Sequence, residues 1–301
     1  MYNIAVRIYE VQNMSDKYIK FLYDDNSGFR VHHTKGQFAA ESTTGYLHYD
    51  VELSLIYFVN GIGEIKIEGK KYTIEDNDLI LLKPSELYHC SVKDGTYHER
   101  VVIYFNGDLL ENFKESGKML LDSFYKRPDG NENKIPAEIV KENNIDTQIK
   151  ELLNLVKEQN EMNRILAVCK MVEILAKLRA VISGGLGENN TSSSENALVN
   201  NVIAYINQNF SKAIDLEDIA NKFYIDKYYI SHLFKEQVGV TLWNYVIFRR
   251  LTAFNDLIRT NTSIEDACFR VGFQNYSNFF RLYKKHMQMT PTEFKKSIKR
   301  D

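Results

Sequence analysis

Two stretches near the C-terminal end of the chain are the same object written twice. The first runs Leu216-Glu217-Asp218-Ile219-Ala220, continues through Ile230-Ser231-His232-Leu233-Phe234-Lys235, and closes at Gly239-Val240-Thr241. The second runs Ile264-Glu265-Asp266-Ala267-Cys268, then Gly272-Phe273, then Phe279-Phe280-Arg281-Leu282-Tyr283-Lys284, and closes at Met289-Thr290-Pro291. Each copy reads as a short helix, a tight turn and a second helix. One copy suggests a DNA reader, and two in tandem suggest a reader of a long, asymmetric site.

The local grammar agrees. Helices are expected at 197–209, 216–223, 227–237, 242–259, 264–271, 275–286 and 292–298. Asp215 with Asp218 approaches a capping box, Asp226 caps the next helix, and Ser263 with Asp266 repeats the arrangement in the second copy. Gly239 stands where a helix C-terminus takes a left-handed residue. In a helix-turn-helix the second helix enters the major groove, so its inner face is apolar and its outer face offers donors and acceptors. Tyr229, Ile230, Leu233 and Phe234 are assigned inward on the first recognition helix, with Tyr228, Ser231, His232 and Lys235 outward. On the second, Phe279, Leu282 and Tyr283 pack inward while Asn275, Ser277, Asn278, Arg281 and Lys284 face out. Arg suits guanine, Asn suits adenine, and Lys neutralises phosphate. The 18-residue helix between the copies, Leu242 to Arg259, would span about 27 Å. That length can hold two recognition helices about one DNA turn, roughly 34 Å, apart. An ordinary all-α domain also has a wet side on every helix, but would not repeat caps, turns and Phe/Tyr-Lys endings.

The rest of the chain fits two or more domains. Its 301 residues are 44% hydrophobic and carry a net charge of −2. That charge is unevenly divided: residues 196–301 hold 15 Lys and Arg against 10 Asp and Glu, a net +5, while the remainder is −7. A basic C-terminal third suits a phosphate-binding surface. No run of about 18 apolar residues crosses a membrane. Met1 to Arg7 lacks signal-peptide character, so a cytoplasmic location is expected. Cys90, Cys169 and Cys268 lie far apart and are read as buried apolar thiols in a reducing compartment.

Residues 1 to about 110 alternate apolar and polar positions between turns. Leu55 to Val59 stops at Asn60-Gly61, Gly63 to Ile67 at Gly69-Lys70, Tyr72 to Ile74 follows, and Leu79 to Leu82 stops before Lys83-Pro84. Short strands at this spacing indicate an antiparallel sandwich or barrel. From Asp146 to Ile182 the period becomes helical, with one stripe at Ile149, Leu152, Leu153 and Val156. A second stripe is read at Ile165, Val168, Cys169, Val172, Leu175, Ala176 and Ile182, the break near Gln159-Asn160 implying a hairpin. The Gly-, Asn- and Ser-rich run from Ser183 onward reads as a flexible linker. The expected organisation is residues 1–140, 141–182 for the hairpin, 183–196 for the linker, and 197–301 for an all-α domain with motifs at about 215–238 and 263–287.

The second copy, with Ile264 to Phe273, Tyr276 to Lys285 and Thr290-Pro291, resembles the DNA-binding domain of the AraC/XylS family of transcription regulators, and 197–298 as a whole follows that pattern. The resemblance places base contacts at Tyr228, Ser231 and His232 in the first motif. In the second it places them at Asn275, Tyr276, Asn278, Phe280 and Arg281. Gln288 departs from the family's glycine before Thr-Pro, and Phe280 stands where a small polar residue is common, either meeting a thymine methyl or joining the core. Residues 45–105 are similar to the cupin barrel of such regulators through His48-Tyr49-Asp50, Ser54 to Gly61, Asp76 to Pro84 and His89. Enzymatic cupins hold a metal with two His, a Glu and a later His. Here Asp50 and Ser54 replace the second His and the Glu, so no metal or other cofactor is expected, although His48, Asp50, Glu52 and His89 are side-chain types competent to ligate one.

His48, Asp50, Glu52, His89 and Arg100 are candidates for a small polar effector, a sugar or related metabolite. His48, Asp50 and Glu52 also share strand parity and can be a solvated face. The resemblance implies an α+β multidomain chain: an N-terminal antiparallel, cupin-like β-barrel with a helical hairpin, then a C-terminal all-α double helix-turn-helix. It implies double-stranded DNA, a small-molecule effector, a second copy paired through the hairpin and, at an activated promoter, RNA polymerase as partners. The alternatives are a metal-dependent cupin enzyme with a DNA-binding tail and an effector-independent DNA binder.

Overall fold

The computed structural model describes residues 7–12, 17–24, 28–37, 52–84, 86–92, 96–158, 160–184, 194–287 and 289–298. The chain divides into two compact units, Met1–Thr191 and Ser192–Asp301.

The first unit is built on strands β1 (Arg7–Gln12), β2 (Lys17–Asp24), β3 (Phe29–Gln37), β4 (Leu53–Asn60), β5 (Gly63–Ile67), β6 (Lys70–Ile74), β7 (Leu79–Leu82), β8 (Tyr88–Val92), β9 (Tyr97–Phe105) and β10 (Lys134–Ile135). They form a seven-stranded sheet in the order β1-β2-β3-β9-β4-β7-β10 and a three-stranded sheet in the order β6-β5-β8. The described pairings are antiparallel, with Leu55 opposite Ile103 and Tyr57 opposite Val101. Antiparallel strands were expected; a single closed barrel was not found among the described residues.

The period of two in a strand explains the layering. Leu53, Leu55, Tyr57, Val101, Ile103 and Phe105 share one core with the helices. Ile56, Phe58, Ile80, Leu82 and Val102 join Ile65, Ile67, Tyr72, Ile74, Tyr88 and Cys90 in another, between the two sheets. With both faces covered, Leu53 to Phe58 are all buried, which is why this segment reads as a continuous apolar run.

A 3₁₀ helix at Gly107–Phe113 and helices α1 (Lys114–Tyr125) and α2 (Ala137–Glu142) follow the strands. The hairpin is α3 (Ile145–Lys157) and α4 (Glu161–Ser183). Asn160 caps α4, its Oδ1 accepting the Asn163 N–H at 2.8 Å. The α3 stripe Ile149, Leu152, Leu153 and Val156 is buried as expected. On α4 the expected stripe is corrected. The buried side chains are Ala167, Met171, Ile174, Leu175 and Leu178. Ile165 is 56% exposed, and Cys169 is exposed while Cys90 and Cys268 are buried. Leu175 of the expected stripe is buried and Val168, Val172 and Ile182 pack partly against the core, while Ile165, Cys169 and Ala176 face out, because α4 is apolar around most of its circumference and the buried face is rotated from the one expected. Most of the linker read at 183–196, residues 185–193, and Gln159 at the hairpin break lie outside the described residues.

The second unit contains α5 (Ser194–Asn209), α6 (Leu216–Phe223), α7 (Lys227–Val238), α8 (Leu242–Arg259), α9 (Ile264–Arg270), α10 (Tyr276–Met287) and α11 (Pro291–Ile298). Helix α8 serves both motifs. Its Tyr245 ring meets Phe234 of α7 edge-on at 5.5 Å, and farther along its Phe254 lies 4.6 Å from Phe279 of α10. The buried Tyr283 hydroxyl donates to Asn255 Oδ1 at 2.7 Å, fixing α10 against α8.

Candidate nucleic-acid interface

The first motif is set by its caps. Asp215 Oδ1 accepts the Asp218 N–H at 2.7 Å, and Asp218 Oδ2 accepts the Asp215 N–H at 3.3 Å. This reciprocal box satisfies two orphan donors at the start of α6. The helix ends at Tyr224, a left-handed residue with φ 56°. Asp226 Oδ1 then accepts the N–H groups of Tyr228 and Tyr229, each at 2.9 Å, and starts the recognition helix α7. Ile230, Leu233, Phe234 and Val238 face inward, and Gly239 closes the helix at φ 89°. Tyr228, His232 and Lys235 are exposed and Ser231 is half-buried, so the four expected outward residues share one side. Tyr229 is corrected: it is 47% exposed rather than inside, because Ile230 already fills the inward position next to it. His232 Nδ1 lies 3.8 Å from Glu236. Beside α7, a cleft of about 370 Å³ is lined by Ile214, Leu216, Ser231, Leu242 and Trp243 among others.

The second motif repeats the plan with different emphasis. Ser263 Oγ accepts the Asp266 N–H at 3.1 Å to start α9. Gly272, at φ 96°, turns the chain. Asn275, Tyr276, Ser277, Asn278, Arg281 and Lys284 are all exposed, while Phe279 and Tyr283 are buried and Leu282 is half-buried. Phe280 is half-buried, its ring 6.3 Å from that of Tyr276.

Two side-chain contacts organise this surface, and neither was read from the sequence. Asn275 is the capping residue of α10, its Oδ1 accepting the Asn278 N–H at 3.0 Å; one acceptor site is therefore committed, which weakens a paired contact with adenine. Asn278 Oδ1 accepts from Arg281 Nη2 at 3.1 Å, aligning the guanidinium before any ligand arrives. Lys284 and Lys285 make the last turn of α10 basic. Gln288 lies outside the described residues. Thr290 and Glu293 bridge the following turn, the Thr290 N–H and hydroxyl donating to Glu293 Oε2 at 2.6 and 2.8 Å.

Three of the five effector candidates, Glu52, His89 and Arg100, lie among the described residues, and His89 does not share a face with Arg100. His48 and Asp50 lie outside the described residues. Glu52 forms an ion pair with Arg30. His89 sits between the buried Tyr88 and Cys90 on β8, so it falls on the outer face of the three-stranded sheet, away from the space between the sheets. Arg100 shares strand parity with Val102 and faces the space between the sheets, beside the Cys90 thiol, which burial pushes up. In the same row, burial and then the nearby Arg100 hold the His98 imidazole down near 4. Among the described residues, no three His, Cys, Asp or Glu side chains are grouped as a metal site requires.

Residues 219–297 match the model of a helix-turn-helix domain family, and residues 54–180 match that of the ExsA N-terminal regulatory domain. The probable transcription factor PqrA of Proteus vulgaris is 32% identical over 103 residues, covering 33% of this chain and 84% of that protein. The chain belongs to the AraC family of transcription regulators. An uncharacterized HTH-type transcriptional regulator of Escherichia coli K12, YdiP, is 30% identical over 106 residues, and the matched region spans only 35% of its length. Among solved structures, ToxT from Vibrio cholerae O395 aligns with 91% of this chain and 99% of its own at 15% identity, with a TM-score of 0.38. AraC-type membership accounts for the tandem helix-turn-helix motifs.

Proposed function

We propose that this AraC-family chain is a sequence-specific regulator of transcription that works as a homodimer in the cytoplasm and responds to a small polar effector. The observation that carries this reading is the second recognition face. Arg281 is exposed, pre-aligned by Asn278 and flanked by Tyr276, Ser277 and Lys284. A guanidinium held in this way suits paired hydrogen bonds to guanine, and the lysine suits the adjoining phosphate.

Tyr228, Ser231 and His232 on α7 offer a smaller reading surface, so the two motifs are suited to unequal half-sites. The effector would lie on the inner face of the seven-stranded sheet against Arg100, with the Arg30–Glu52 pair at the same sheet. Binding there would shift populations between arrangements of the DNA-binding units. The second copy would pack on the outer face of α4, where Ile165, Leu166 and Cys169 are exposed beside a groove of about 500 Å³. RNA polymerase is the further partner such a regulator requires where it activates.

The test is duplex selection from a randomised pool with the full chain, followed by affinity measurements. Arg281→Ala should weaken the selected duplex by about 1–3 kcal/mol while the fold is kept. An unchanged ratio of selected to random affinity would sink Arg281 as a base reader. Screening sugars and sugar derivatives by thermal shift tests the effector, and a chain that sediments as a monomer bound to DNA would remove the dimer. The metal-dependent enzyme is the competing class; stoichiometric metal with turnover in the purified protein would favour it.

A further inference from the structure

We propose that Tyr224, at the corner of the first motif, is a contact to the DNA backbone, its phenol donating a hydrogen bond to a phosphate beside the groove that α7 enters. The proposal rests on the DNA-binding reading above and extends it to a residue outside the recognition helix.

The two corners are built alike. Ile225 N–H donates to the Ala220 carbonyl at 3.0 Å in the first, and Phe273 N–H donates to the Cys268 carbonyl at 3.3 Å in the second. In each, the preceding residue takes the left-handed conformation that this helix ending demands: Tyr224 at φ 56° and Gly272 at φ 96°. Glycine adopts it without strain and a residue with a Cβ does not. At the second corner there is also no room, since a Cβ on Gly272 would lie 2.6 Å from the Ser211 carbonyl oxygen. At the first corner space is open, and the Tyr224 side chain is 95% exposed.

A tyrosine there carries backbone strain and buries almost no surface to offset it. Within the free chain the ring contributes almost nothing, so its use lies outside the chain. The surroundings point to nucleic acid. Residues leading into a recognition helix run beside the sugar-phosphate strand as the helix start reaches the bases, and tyrosine hydroxyls are among the usual phosphate donors. Tyr228, in the first turn of α7, is 75% exposed. Lys222 and Lys227 stand on either side in sequence. The nearby acids are engaged: Asp226 accepts two backbone N–H groups, and Glu217 pairs with Lys227 at 2.8 Å.

Full-length wild type, Tyr224→Gly and Tyr224→Phe are compared on a duplex selected by the wild type and on a random duplex of equal length. Tyr224→Gly should melt at a higher temperature yet bind both duplexes about three- to tenfold more weakly, as expected for one lost hydrogen bond. The selected-to-random ratio should hold. The salt dependence should also hold, because a neutral donor releases no counterion. Tyr224→Phe, which keeps ring and strain but lacks the hydroxyl, should bind as weakly as Tyr224→Gly. Unchanged affinity of Tyr224→Gly for both duplexes overturns the proposal, and so does a loss confined to the selected duplex. A wild type that binds no duplex removes the underlying reading and this proposal together; wild-type binding with an unaffected Tyr224→Gly overturns this proposal alone.

Discussion

The two helix-turn-helix motifs share a plan and differ in what constrains them. The second is held by an aromatic cluster in which Phe279 touches Phe254, Phe273 and Tyr283, and its turn is forced to glycine by the Ser211 backbone. The first is packed mainly through aliphatic side chains, Ile219, Ile230, Leu233 and Val238, beside the Phe234–Tyr245 contact, and its Tyr224 turn is open to solvent. The two copies thus share the position of their caps and differ in what packs against the turn. The second motif carries the pre-aligned Arg281 and is the stronger candidate for the specificity anchor.

That contrast can be broken by substitution. The largest effect should come from Phe279→Ala. It empties a fully buried aromatic site and should cost about 3–5 kcal/mol in urea unfolding of the chain's C-terminal unit. Next, the two corners should respond with opposite signs. Gly272→Ala meets both strain and the Ser211 carbonyl and should destabilise by about 2 kcal/mol or more, whereas Tyr224→Gly should stabilise by about 1 kcal/mol. Equal signs would mean that the corners are not equivalent. Smallest, Asp215→Ala and Ser263→Ala remove matching N-caps and should each cost about 1 kcal/mol by thermal unfolding. A large inequality between these two would show that the caps, too, have diverged.

Local signals carried most of the second unit. Asp215, Asp226 and Ser263 act within three residues of themselves, so their capping roles are visible in a linear string. The recognition faces follow from helical period, and the expected outward residues do lie together on each helix. What was hidden depended on partners distant in sequence or on competition between equivalent choices. His89 is assigned a face only once its neighbours Tyr88 and Cys90 are seen to be buried between the sheets. Helix α4 is apolar around most of its circumference, and only packing decides which of its apolar residues are fully buried. Asn275 looked like a base reader because capping and reading use the same amide chemistry; its hydrogen bond to Asn278 shows that one oxygen serves the helix first. The 3₁₀ turn at Gly107–Phe113 has no periodic pattern long enough to announce it.

The cleft beside the first recognition helix has an optical consequence. Its rim holds Trp243, the single tryptophan of the chain. The indole is 52% exposed, with the Arg250 guanidinium 5.7 Å from its ring. It stands at the start of α8, on the side of the first motif and with Ser231 in the same cleft. The chain's intrinsic tryptophan emission thus comes from one place, where a duplex seated on α7 would change its solvent and its quenchers. Fluorescence without any label would report occupancy of the first motif, and anisotropy of a dye-labelled duplex would report binding by either, so the order in which the two motifs engage DNA is open to direct timing.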